Sequence, residues 1–110
     1  MKYGLIGLLL WALPVFAQTF LPGTEDIPLM EGLMNVEETA SFDNPSERMV
    51  LISAETSLTA RSVFRFYSQT LSNLGWQEIS PHFFKRGNDS FVIEIGDQNQ
   101  IQFRLSQSNS

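Results

Sequence analysis

The sequence predicts an α+β domain in two layers, one amphipathic helix packed on an antiparallel sheet, with its elements in the order hairpin, helix, meander. Three observations carry that expectation. Between Ser57 and Gly75, a step of about 100° per residue gathers Val63, Phe64, Phe66, Tyr67, Leu71 and Leu74 on one arc; Arg61, Arg65, Gln69, Ser72 and Asn73 fall on the other. Beyond Gly75 the apolar period drops to two: Phe91, Ile93 and Ile95 oppose Val92 and Glu94, and Ile101, Phe103 and Leu105 oppose Gln102 and Arg104. Ahead of the helix, the turn formers Asp43-Asn44-Pro45-Ser46-Glu47 separate two β-rich segments.

In chain order, the first expectation is a signal peptide over residues 1–17. Lys2 gives a minimal positive start, Gly4 to Leu13 is continuously apolar, Pro14 breaks the run, and Val15-Phe16-Ala17 offers small residues for cleavage. The rival reading is an uncleaved anchor, but the run falls well short of the ~20 residues that span a bilayer. No cysteine follows it, so a lipoprotein anchor is excluded.

Residues 18–36 read as an N-terminal arm with a Pro22-Gly23 turn and a short helical turn capped by Asp26 and ended by Gly32. Ile27, Met30, Leu33 and Met34 are too apolar for a free tail. The arm therefore packs back as core, or its methionines form an adaptable partner surface.

A single domain follows over 37–106. Its hairpin joins 39–43 to 48–55, with Val50, Ile52 and Ala54 on one side and Met49, Leu51 and Ser53 on the other. Ser57 caps the helix and Gly75 closes it. Strands are expected over 76–79, 82–86, 90–95 and 100–106, and 107–110 as a frayed tail.

Composition narrows the chemistry. The chain has 110 residues, a formal charge of −5, one histidine and no cysteine. An acidic chain without a Lys/Arg cluster repels phosphate, which disfavours nucleic acid and anionic membrane surfaces. His82 as sole imidazole removes thiolate and multi-histidine zinc sites and Cys–His catalysis. No Gly-x-Ser-x-Gly turn presents a serine, no calcium-loop frame surrounds Asp43 to Glu47, and the glycines beyond Gly4 and Gly7 of the expected signal peptide are isolated turn residues. The expectation is a non-enzyme without metal or cofactor.

The remaining signal is aromatic. Most of Phe64, Phe66, Tyr67, Trp76, Phe83, Phe84, Phe91 and Phe103 must be core in a chain this small. Phe66 and Phe84 are the hardest to bury together. They line an apolar groove or interface, or the arm covers them.

Phe66-Tyr67-x3-Leu71-x2-Leu74-Gly75-Trp76, with Pro28-Leu29-Met30-Glu31-Gly32-Leu33 and Phe42-Asp43 before a proline turn, resembles small exported proteins of proteobacteria, chiefly of alphaproteobacterial type, that carry no assigned function. The pattern departs after Pro45, where Ser46-Glu47-Arg48 stands in place of Gly-Arg. The resemblance implies an exported, periplasmic or secreted α+β domain and brings no catalytic residues. The functional expectation is a non-catalytic interaction module of the bacterial envelope, meeting a protein partner through Met30, Leu33, Met34, Phe66 and Phe84 or through a sheet edge. The alternative is a small carrier of apolar ligands or lipids between helix and sheet.

Overall fold

The computed structural model describes residues 20–108; the expected signal peptide lies outside them. Six strands form one antiparallel sheet: β1 (Leu33–Asp43), β2 (Glu47–Thr56), β3 (Gln77–Ser80), β4 (Phe83–Arg86), β5 (Asp89–Ile95) and β6 (Gln100–Ser108). The helix α1 (Ala60–Asn73) follows β2. The spatial order is β1-β2-β6-β5-β4-β3, so the last strand returns to pair with the hairpin and joins it to the meander. The α+β class stands, with the sheet as the dominant element.

The turn between β1 and β2 is built by Asn44, whose Oδ1 accepts from the backbone N–H of Ser46 at 2.9 Å and of Glu47 at 2.8 Å. Pro45, which has no N–H to lose, fits between them. Across β2 and β6 the register sets Val50 beside Leu105, Ile52 beside Phe103 and Ala54 beside Ile101; β5 continues these rows with Phe91, Ile93 and Ile95. Period-two patterning thus delivers one apolar face, and nearly all of these side chains are buried.

Helix α1 covers that face with a narrower stripe than its arc of apolar residues suggests. Val63, Tyr67 and Leu71, spaced one turn apart, are buried; Phe64 and Phe66 are half-buried, and Leu74 is exposed. The Tyr67 ring lies 5.5 Å from Phe103, Phe103 5.8 Å from Phe91, and Phe91 6.2 Å from Trp76. The cap residue is Thr59 rather than Ser57: its side chain accepts from Ser62 N–H at 3.1 Å. At the other end Gly75, at φ 93°, permits Trp76 N–H to reach the Leu71 carbonyl at 2.9 Å and Gly75 N–H to reach Ser72 at 3.2 Å. This paired closure brings Trp76 in beside Leu71 and launches β3.

The arm is part of the core. Leu21 and Ile27 are buried with the sheet residues, and Phe20 bridges to Pro28. The helical turn expected after Asp26 does not form; the chain runs extended, and Asp26 instead pairs with Arg86 at 2.9 Å. Tyr67 fastens the arm from below, its hydroxyl donating to the Pro28 carbonyl at 2.8 Å and accepting from Met30 N–H at 3.3 Å. Burial pushes that hydroxyl well above the usual tyrosine range. Gly23 turns at φ 81° directly over β1 and β2, where an added Cβ would lie 2.7 Å from Glu38 Oε1 and 2.9 Å from Val50 Cγ1. β1 begins at Leu33, inside the segment read as arm, and β6 continues to Ser108, inside the segment read as tail.

Candidate interaction surface

The residues singled out from the sequence divide by burial. Phe84 is 2 % exposed within the core and offers no surface, because β4 turns it to the same face as Phe91. Met30 and Leu33 are half-buried against the core, Met30 through the Tyr67 hydroxyl and Leu33 as the first residue of β1 opposite Thr56. Phe66 packs against the same cluster, its ring meeting Tyr67 edge-on at 4.8 Å. Met34 remains 52 % exposed. The expected arm surface is therefore mostly consumed by folding.

An uncovered apolar strip stands elsewhere, on the face of the hairpin turned away from α1. Pairing of Ala40 with Leu51 and of Phe42 with Met49 sets these four side chains together. Phe42 is 53 % exposed, while Met49 and Leu51 are half-buried. With Ser41 they line a shallow groove of about 220 Å³. The signal was present in β2, where Met49 and Leu51 are apolar on the side opposite Val50, Ile52 and Ala54. A strand apolar on both faces must cover both or leave one open.

The strip lies on a sheet edge, and the two edges differ. β3 has only four residues and a register shift between Glu78 and Ser80, devices that blunt edge pairing. β1 has eleven residues and two shifts, between Met34 and Glu37 and between Glu38 and Ala40. From Ala40 to Asp43 its register with β2 is unbroken. No described strand pairs with β1 on its other side. In such an edge every second residue turns its N–H and C=O outward, so 40–43 is a regular free template beside an apolar groove.

An open cleft of about 720 Å³ lies near the start of α1, bordered by Phe64, His82, Phe83, Val92 and Ile95. His82 stands there at φ 74° with its ring 3.6 Å from Phe64. Its Nδ1 is buried and accepts or donates no hydrogen bond among the described residues, so neither a hydroxyl nor a carboxylate is aligned on that nitrogen. Among the described residues no group of three or more His, Asp or Glu is placed to hold a metal ion, and no helix is long and apolar enough to cross a membrane.

Set against known protein families, curated proteins and solved structures, the chain matches none.

Proposed function

We propose that this protein is an exported, non-catalytic interaction module of the bacterial envelope that receives a protein partner on the edge of β1. The export reading rests on the N-terminal pattern of Lys2, an apolar run and Val15-Phe16-Ala17. The observation that carries the contact is the uncovered strip of Ala40, Phe42, Met49 and Leu51 beside the edge run 40–43, whose register with β2 is unbroken. Small folded domains rarely leave an apolar strip on a regular free edge unless something docks there. Compared with the arm surface expected from the sequence, the edge is the better support for this reading, because Met30 and Leu33 are engaged in the core. The carrier alternative has less support: Tyr67, Trp76, Phe91 and Phe103 occupy the space between helix and sheet.

A photo-reactive phenylalanine analogue placed at Phe42, and separately at the exposed helical position Gln69, tests the reading in the native host. A discrete polypeptide adduct at 42 and none at 69 is expected. Adducts at 69 only, or at neither position, would overturn it.

A further inference from the structure

Resting on the reading of β1 as a docking edge, we propose the chemistry of its occupant. It is an extended segment of another protein, with one large apolar side chain at its centre and Lys or Arg on its flanks, added as a seventh strand beside 40–43. The backbone requirement comes from the edge: a regular run with outward N–H and C=O groups is satisfied by a strand, since a helix has none to offer. The central apolar residue follows from the groove. About 220 Å³ walled by Ala40, Ser41, Phe42, Met49 and Leu51 accommodates one large side chain next to Phe42.

The flanking charge follows from the carboxylates that β1 carries on either side of the 40–43 run, Glu37 on the groove face and Glu38 and Asp43 on the other. Its sequence, LMNVEETASFD, carries Glu37, Glu38 and Asp43 and no Lys or Arg, and all three carboxylates are exposed. Arg48 stands opposite Asp43 but sends its guanidinium to Gln107 Oε1 at 2.9 Å and to the Gly23 carbonyl at 2.7 Å. Arg104 lies beyond Leu51 on β6, two strands from the edge. An arriving strand thus meets negative charge at both ends of the 40–43 run.

The same charges disfavour a second copy of this chain. Pairing β1 with itself brings two sets of carboxylates together with no cation on either strand, and like charges across a pair destabilise it. Four residues of edge and one small groove also suit a short peptide contact better than an obligate dimer, which buries more than about 2,000 Å². A nucleic acid is repelled by the same carboxylates.

Two fluorescent peptides test this on the purified full chain by anisotropy at low ionic strength. Both alternate Val and Thr around one Phe; one carries two lysines at each end, the other two glutamates. The Lys-flanked peptide is expected to bind about tenfold tighter, the order that three exposed ion pairs supply. The combined variant Glu37→Gln, Glu38→Gln, Asp43→Asn, with circular dichroism unchanged, is expected to remove most of that difference, and added salt to shrink it without any variant. Methylating alternate peptide nitrogens should abolish binding if the edge supplies the hydrogen bonds. Equal or reversed preference overturns the cationic partner, as does a position-42 adduct that proves to be a second copy of this chain. A foreign adduct at 42 with neither peptide bound also overturns the peptide chemistry while leaving the docking edge in place. Neither peptide bound and no adduct at 42 overturns the docking edge itself.

Discussion

Replacing Tyr67 by Phe removes one oxygen and leaves the aromatic packing against Phe103 and Phe91 in place. The loss falls on the arm. The Pro28 carbonyl, held at 2.8 Å in a buried bond, loses its donor, and Met30 N–H at 3.3 Å loses its acceptor. A buried group stripped of its partner costs about 1–3 kcal/mol. The Met30 bond is longer and half-buried, so water replaces it in part, and a total of about 2 kcal/mol is expected. For a domain of this size that lowers Tm by about 8–16 °C. Urea unfolding followed by Trp fluorescence measures it, with an unchanged m-value showing that the same surface unfolds. A pH series adds a signed test. The buried hydroxyl resists ionisation, so wild-type stability is intact below the unfolded tyrosine pKa of about 10 and falls as pH rises past it, by up to about 1.4 kcal/mol per unit. Tyr67→Phe lacks that slope, and the gap between the two proteins must narrow above about pH 10. A variant as stable as wild type within about 0.5 kcal/mol, or a gap constant with pH, would refute the fastening of the arm by this hydroxyl.

Other perturbations separate the remaining contacts. Gly23→Ala forces an L side chain into φ 81° against the fully buried Val50, and a loss of about 2–3 kcal/mol is expected by denaturation; near-neutrality would mean the turn does not press on the sheet. Thr59→Ala removes the helix cap and should cost about 1 kcal/mol, whereas Ser57→Ala should cost a few tenths at most. Asp26→Asn breaks a half-exposed ion pair and should change stability by less than about 0.5 kcal/mol. Arg86→Ala should cost about 1–2 kcal/mol, because the guanidinium also lies 4.5 Å from the Trp76 ring centroid and donates to the Leu74 carbonyl; equal effects from the two variants would deny that difference. Phe42→Ser exposes no new core and should leave stability within about 0.5 kcal/mol.

Much of the fold was legible because its signals are local. The end of the helix follows from Gly75 and its inner face from the apolar arc, and the inward rows of β2, β5 and β6 follow from period-two spacing. Less legible were features decided by distant partners. Ser57 and Thr59 are equally able caps, and the choice fell to Thr59 because Thr56, Gly32 and Leu58 N–H tie the preceding turn together. Asp26 had the composition of a helix start, but Arg86, sixty residues away, holds it in an ion pair while Phe20 bridges to Pro28. The joining of hairpin to meander through β2 and β6 depends on long-range pairing that no spacing reports. The same limit applied to the surface. Spacing alone leaves Phe84, on the face of its strand opposite Phe83, either lining a groove or interface or lying under the arm; pairing with Phe91 turns it into the core. Phe42 became visible as a surface residue once β1 was placed at the edge, where nothing on the chain covers it among the described residues.

The measurement that bears most directly on the interaction reading is native mass spectrometry of the protein released gently from its own host, wild type beside Phe42→Ser. The account predicts an added mass of another polypeptide on the wild type that is lost in the variant while both remain folded. An added few hundred daltons retained by both proteins, or a bare chain in each, would contradict it.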